Sequence, residues 1–113
     1  MFISKNKYNN TKVLFNKIKF DSKKEMNRYI VLLNMARIGK ITALELQPKF
    51  LLEEGFVYNG KKERDINYIA DFKYKKGNDL IVEDVKGMKT EVYKIKRKLF
   101  LKKYGDSYIF KET

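Results

Sequence analysis

Apolar residues recur with two different spacings along the chain, and the change of spacing separates predicted helices from predicted strands. Between Ser22 and about Ile38 the spacing is three or four residues, which is typical of one face of a helix. Gly39 follows and predicts the end of this helix. The apolar positions that define the stripe are Met26, Tyr29, Ile30, Leu33 and Ala36.

A second helix is predicted from Glu91 to Tyr104, with Thr90 as its N-terminal cap and Gly105 at its end. The spacing along this segment predicts an inner stripe on the helix. That stripe consists of Val92, Ile95 and Leu99.

Strand-like runs lie before, between and after the two helices. Residues 12–20 predict a short hairpin or extended arm around Asn16-Lys17, and Pro48 implies an edge, an end or a bulge in its strand. The other predicted strands are 43–52, 65–75, 80–86 and 107–111. The order helix, three strands, helix, strand predicts an α/β or α+β fold with a mixed sheet flanked by helices. With 113 residues, the chain fits a single domain over residues 1–113 whose first 20 residues form the arm or hairpin.

The charge balance favours a phosphate-bearing partner. The chain has 26 Lys and Arg against 14 Asp and Glu, a net charge of +12, so its field attracts nucleic acid. Its segment MFISKNKYNN lacks the features of a secretory signal, and no run approaches about 18 apolar residues, so we expect a soluble, intracellular protein.

The missing residue types narrow the chemistry. Without His or Cys the chain cannot form a Ser-His-Asp or Cys-His triad, or the usual structural zinc site. Carboxylates, lysine and tyrosine remain for catalysis, and carboxylates suit a hard cation such as Mg²⁺. We expect no small-molecule cofactor.

The stretch ADFKYKKGNDLIVEDVKG, residues 70–87, predicts a hairpin that turns at Gly77-Asn78. A two-residue turn there pairs Asp71 with Asp84 on one face, and period-2 alternation adds Lys86 to that face. Two carboxylates so close together repel unless a cation lies between them, which indicates a metal site. A surface hairpin in which Lys86 neutralises Asp84 explains the same spacing, and a one-residue change in the turn would separate the acids.

Alternation places three aromatic residues of the first strand on the face opposite to the acids, which favours core packing over stacking on bases. They are Tyr68, Phe72 and Tyr74.

The segment from Asp71 to Gly87 resembles the signature of the PD-(D/E)XK nuclease superfamily. In it, an acid on a strand is followed by a hairpin and then by Asp84-Val85-Lys86-Gly87. The resemblance extends to four ordered segments, KFDSKKEMNRY, LELQPKF, YIADF and VEDVKG, and covers about residues 8–110. It is to a small phage-encoded group within a superfamily that includes phage endonucleases and Holliday-junction resolvases. Ala70 stands where the signature has its proline.

The resemblance implies a restriction-endonuclease-like core and a metal-dependent endonuclease that cuts branched or duplex DNA in the cytoplasm of a bacterial host. Asp71, Asp84, Glu25 and the Val85 carbonyl would hold one or two Mg²⁺, with Mn²⁺ as a substitute, while Lys86 orients water or stabilises charge. Glu25 is equally explained by a capping box with Ser22.

Two further residues are candidates for a supporting role. Gln47, which Pro48 biases toward an extended backbone, resembles a glutamine that could position water or phosphate. Glu83 would replace Asp84 as a ligand if a bulge shifts the strand.

The second helix is the predicted binding surface for the phosphate backbone, unless it is an ordinary solvated face. Its predicted contacts are Lys94, Arg97 and Lys98, with Lys89 just before the helix. Symmetric cutting of two strands predicts a homodimer. The alternative function is a catalytically silent nuclease fold that binds DNA or a host factor as an accessory or anti-defence protein.

Overall fold

A computed structural model describes residues 2–5, 11–86 and 89–113, with side chains described from residue 13 onward. The chain divides into two compact units, Met1–Ile41 and Thr42–Thr113. The prediction that residues 1–113 act as a single domain stays a prediction. None of the helices in the described part of the chain is long and apolar enough to cross a membrane.

In its described residues, 2–5 and 11–41, the first unit contains three antiparallel strands and one helix. The strands are β1 (Phe2–Lys5), β2 (Thr11–Phe15) and β3 (Ile18–Phe20), and the helix is α1 (Lys23–Arg37). The turn between β2 and β3 has positive φ angles at Asn16 and Lys17, 51° and 64°, as in a type I′ turn. The predicted hairpin is therefore confirmed, whereas β1 was not predicted.

Helix α1 begins and ends where its sequence predicts. The Ser22 hydroxyl accepts a hydrogen bond of 3.1 Å from the Glu25 N–H, which caps the first turn. Gly39 follows the helix with a φ of 79°, a conformation that glycine adopts without strain.

The second unit contains a mixed four-stranded sheet, two strand pairs and one helix within the described residues. Its elements are β4 (Thr42–Leu46), β5 (Lys49–Glu53), β6 (Phe56–Tyr58), β7 (Lys61–Glu63), β8 (Ile66–Ile69), β9 (Phe72–Lys76), β10 (Asp79–Asp84), α2 (Glu91–Tyr104) and β11 (Ile109–Glu112). The sheet has the order β11-β10-β9-β4, in which β10 and β11 are parallel and the other neighbours are antiparallel. A mixed α+β fold with a mixed sheet and two helices is thus confirmed.

Two of the predicted strands are each broken into two, and the breaks lie opposite one another. The first strand breaks at Gln47-Pro48, between β4 and β5, and the second at Ala70-Asp71, between β8 and β9. The Gln47 N–H donates to the Asp71 carbonyl at 2.9 Å, and the Ala70 N–H donates to the Pro48 carbonyl at 3.1 Å. We call these four residues the corner. At the corner both strands leave the four-stranded sheet and pair again as β5–β8.

The extended backbone predicted for Gln47 is wrong. Its φ is 51°, in the left-handed region. Proline disfavours the right-handed helical region for the residue before it, and at this bend the chain takes the left-handed alternative.

The predicted inner stripe of α2 is also wrong. Val92, Ile95 and Leu99 are exposed, whereas Tyr93 and Phe100 are buried. The large aromatic rings decide the orientation, because they remove more apolar surface from water than the aliphatic residues would. The core that they join consists of Phe50, Leu52, Tyr68, Ala70, Val82, Tyr93 and Phe100.

Candidate active site

The hairpin β9–β10 has the predicted register. Lys76 pairs with Asp79, and the pairing continues without a shift to Phe72 and Glu83, where it ends, so the predicted pair of Asp71 and Asp84 is not part of the ladder. Gly77 has a φ of 61° in the connecting turn, which a glycine accepts without strain. Asp71 therefore stands one residue before β9 and Asp84 at the end of β10, at the same end of the hairpin.

The corner places the Asp71 carboxylate against the end of β10. Its Oδ2 accepts a hydrogen bond of 2.7 Å from the Val85 N–H. The two segments that carry the predicted metal ligands thus meet directly, with Asp71 beside the peptide that joins Asp84 to Val85.

Asp84 is a fully buried carboxylate. The Tyr68 hydroxyl donates to its Oδ2, and the Lys86 ammonium lies 3.1 Å from its Oδ1. Oδ1 itself has no hydrogen-bond partner among the described residues. Because a buried charge is costly unless it is paired, Tyr68 and Lys86 are what make this carboxylate tolerable.

Tyr68 remains a hydrogen-bond donor at physiological pH. Burial raises the pKa of its hydroxyl well above the ordinary value, and the hydrogen bond to Asp84 raises that pKa further. The proton therefore stays on Tyr68, and its hydroxyl holds one Asp84 oxygen in place.

Lys86 is positioned by a ring and by the end of the last strand. Its Nζ lies 4.4 Å from the centroid of the Tyr93 ring, within the range of a cation–π interaction. The Lys86 N–H donates to the Thr113 carbonyl at 3.0 Å, and the Thr113 N–H donates to the Asp84 carbonyl at 2.9 Å. The backbone from Asp84 to Lys86 is thereby fixed beside β11.

Two of the predicted magnesium ligands lie beside one peptide, and magnesium binding itself stays a prediction. Mg²⁺ is commonly bound by one or two carboxylates and completes its shell with water and phosphate oxygens. Asp71 and Asp84 supply two carboxylates beside the Val85 peptide, and within the described residues the buried Oδ1 of Asp84 is ion-paired with Lys86 but accepts no hydrogen bond. Residues 2–5, 11–86 and 89–113 contain no group of three or more acidic or other metal-binding side chains close enough to share an ion.

The other candidate site residues have surroundings of their own. Glu25 is buried in the first unit, and its role at the metal stays a prediction. Glu83 points to the face of β10 opposite to Asp84, where it accepts hydrogen bonds from the Tyr74 hydroxyl at 2.6 Å and the Thr113 hydroxyl at 3.2 Å. Because the pairing up to Glu83 is regular, the bulge that would make Glu83 the ligand is absent from this hairpin. Gln47 touches Asp71 through its backbone N–H, so its predicted supporting role stays a prediction.

The predicted phosphate-binding residues are partly engaged with carboxylates. Lys89 lies 3.2 Å from Glu112, and the Arg97 Nε lies 3.6 Å from the same carboxylate. Lys94 pairs with Glu91 at 3.3 Å, while Lys98 is exposed. Contact of these four cations with DNA stays a prediction, and Glu112 would compete for two of them.

Sequence reasoning missed the tyrosines that surround the site. All three aromatic residues predicted to pack in the core are buried, but Tyr68 contacts Asp84 and does not share the face of Phe72 and Tyr74. The reason is the corner, which interrupts the alternation between Tyr68 and Phe72. Tyr93 was also missed, because the predicted stripe of α2 turned it outward.

Glu112 provides a test of the electrostatics around the site. The hydrogen bond from Tyr93 lowers the pKa of its carboxyl most, partial burial opposes that shift, and Lys89 and Arg97 lower the pKa further. A folded pKa below the unfolded value of about 4.3 means that Glu112 stabilises the fold above that pH, and that its contribution is lost as the pH falls.

We expect Glu112→Gln to be less stable than the wild type at neutral pH, with a difference that shrinks on acidification. Urea midpoints measured from neutral pH down to about pH 3 test this, and a constant difference would contradict it.

Comparison with known proteins places the chain in one family. A family model described as "Protein of unknown function (DUF1064)" matches residues 5–112. No curated protein and no solved structure gave a significant match.

Proposed function

We propose that this chain, which belongs to the DUF1064 family of proteins of unknown function, is a metal-dependent endonuclease that hydrolyses DNA phosphodiester bonds. The observation that carries the proposal is the hydrogen bond from the Val85 N–H to the Asp71 carboxylate, next to the buried pair of Asp84 and Lys86. An acid, a second acid and a lysine are thus gathered at one end of one hairpin, in the arrangement that the PD-(D/E)XK resemblance implies.

In the proposed mechanism Asp71, Asp84 and the Val85 carbonyl would hold Mg²⁺, which when bound would supply polarisation of the phosphate and a lower pKa for an attacking water. Lys86, held by the Tyr93 ring, donates hydrogen bonds to the water or to the phosphate oxygens and stabilises the negative charge that develops there. Tyr68 keeps one Asp84 oxygen fixed, so that the carboxylate does not rotate during the reaction.

The finer features of the proposal are a restriction-endonuclease-like core, a branched or duplex DNA substrate and a homodimer. A net charge of +12 supports a nucleic-acid substrate, because it draws phosphate toward the protein before any contact forms. A homodimer would supply the two sites needed to cut both strands symmetrically.

A second candidate is a nuclease fold that binds DNA without cutting it. The observation that favours it is that Lys86 and Tyr68 already neutralise and bind the buried Asp84 carboxylate. A site balanced in this way is stable without a metal ion.

A cleavage panel separates the two candidates. Purified protein is incubated with duplex, single-stranded, flap and four-way-junction DNA, and with matched RNA, in Mg²⁺, Mn²⁺ or EDTA. We expect Mg²⁺ or Mn²⁺ to support nicking or cutting of at least one DNA, branched forms to be cut faster than plain duplex, and EDTA to stop cutting. Tight binding without cleavage under every condition would favour the second candidate, and equal cleavage in EDTA would exclude the proposed metal role.

A further inference from the structure

The hairpin β6–β7 exposes three consecutive large apolar residues. Phe56, Val57 and Tyr58 are 58%, 70% and 66% exposed, and every residue of β6 and β7 is exposed. Single exposed apolar residues are ordinary, but a contiguous run of them marks an interaction surface.

The pairing of the hairpin sorts these residues by face. Tyr58 pairs with Lys61, and Phe56 pairs with Glu63. Because directly paired residues share a face, both aromatic rings lie on the same side as Lys61, which is beside Tyr58, and Glu63, which is beside Phe56. Val57 and Lys62 occupy the other side. One face of the hairpin therefore combines two exposed rings with a cation near the turn and a carboxylate near the base.

The base of the hairpin is held in place. The Gly55 N–H donates a hydrogen bond of 2.6 Å to the Asp65 carboxylate, across the two ends of the hairpin. A Cβ at position 55 would lie 2.5 Å from the Glu63 carbonyl oxygen, so the two backbones approach too closely for a side chain there. At the other end, Asn59 and Gly60 form the turn with φ angles of 49° and 75°. The exposed rings are thus presented by an ordered element.

We propose that this hairpin, residues 56–63, binds nucleic acid by stacking Phe56 and Tyr58 on bases that are unpaired or terminal, as at a branch or flap. Aromatic side chains stack on any base, and nearby cations contact the adjoining phosphates. Lys61 supplies a cation on the face of the rings, and Lys62 supplies one on the other face of the hairpin. The net charge of the whole chain, +12, favours nucleic acid over a second copy of the chain, which would carry the same positive charge.

The inference names the substrate class of the proposed nuclease, and in that respect it rests on the proposed function. Strand β8 runs from the base of the hairpin to the corner and Asp71. The chain from Lys61 to Asp71 spans at most about 35 Å even when fully extended, which is about one turn of duplex DNA. A branch held by the hairpin would therefore be cut within about one helical turn of the branch point.

Binding measured in EDTA tests the hairpin without any need for cleavage. The full chain and the variant Phe56→Ser/Tyr58→Ser are titrated into fluorescent flap DNA and matched duplex, with 2-aminopurine at the first unpaired position. We expect the variant to bind the flap at least about tenfold more weakly, to bind duplex within about twofold of wild type, and to lose the change in 2-aminopurine fluorescence. Lys61→Ala is expected to lower the salt dependence of flap binding by about one ion, in agreement with one lost phosphate contact.

The matched control is Val92→Ser/Ile95→Ser, which removes two residues of α2 that are 62% and 59% exposed. It should bind both DNAs as the wild type does. Unchanged flap binding by Phe56→Ser/Tyr58→Ser would overturn the proposal, and a change in its sedimentation with unchanged DNA affinity would assign the hairpin to a protein interface. These titrations contain no metal, so their result does not depend on cleavage. A wild type without nuclease activity would leave the binding result valid, and a wild type with full activity would not compensate for unchanged flap binding by Phe56→Ser/Tyr58→Ser.

Discussion

Asp84→Asn is expected to lower Mg²⁺-dependent cleavage by at least about a hundredfold while the protein still binds DNA. The amide has nearly the same shape as the carboxylate, but it removes the negative charge that the proposed metal requires. Its NH₂ group also cannot accept the Tyr68 hydrogen bond at the position where Asp84 Oδ2 does so. Cleavage rates under single-turnover conditions and anisotropy titrations in EDTA measure the two effects separately.

Asp79→Asn is the matched control for this change. Asp79 begins the same strand, pairs with Lys76 beside the turn and is exposed, so its replacement should alter cleavage by less than about threefold. Lys86→Met should behave like Asp84→Asn, because the ammonium group lies 3.1 Å from the same carboxylate. Full cleavage by both Asp84→Asn and Lys86→Met would show that the reaction takes place elsewhere.

Phe100→Ala is expected to destabilise the protein by about 3–5 kcal/mol, whereas Leu99→Ala should cost less than about 1 kcal/mol. The Phe100 ring is fully buried and lies 4.9 Å from the Phe50 ring and 5.2 Å from the Tyr68 ring. Its removal leaves a cavity beside Tyr68, so the hydroxyl that binds Asp84 would also lose its support. Urea denaturation followed by tyrosine fluorescence measures the difference, since the chain contains no Trp.

The comparison tests the orientation of α2, because the spacing of aliphatic residues predicted Leu99 and not Phe100 as the inward residue. If Leu99→Ala costs as much as Phe100→Ala, the helix faces the core with the aliphatic stripe after all.

Local chemistry allowed the prediction of the helix ends and of the hairpin that carries the acids. Ser22 and Thr90 cap their helices, and Gly77 turns the chain in the register that brings Asp71 and Asp84 to the same end. In each case one or two neighbouring residues determine the conformation, so the signal is contained in a short segment.

The features that could not be predicted depend on contacts between distant segments. The corner forms because Gln47-Pro48 and Ala70-Asp71 bond to each other, and neither dipeptide alone indicates that its strand breaks. The orientation of α2 likewise depends on which residues of β5 and β8 it meets, and a helical stripe of aliphatic residues carries no information about that partner. The hairpin β6–β7 is a different case, since Asn59-Gly60 is a favoured turn dipeptide and the short strands beside it were overlooked.

The candidate site was predictable in its acids and its lysine but not in its surroundings. The turn at Gly77 fixes the register that brings Asp71 and Asp84 to the same end of the hairpin, although Asp71 and Lys86 lie just outside the paired strands. The corner positions Tyr68 and helix α2 positions Tyr93, and the sequence pattern misassigned both features. The contact of the Tyr68 hydroxyl with Asp84 and that of the Tyr93 ring with Lys86 could therefore not be predicted.

The corner also limits how the length of the chain can vary. A single residue inserted at positions 47–48 or 70–71 would turn over the strand that follows, exchanging its core side chains for solvent-facing ones. Because the two bends bond to each other, a compensating change in one would have to accompany a change in the other. Insertions and deletions near this point should therefore be rare or matched in both segments, whereas the loop at Asn59-Gly60 is free to lengthen without such a partner.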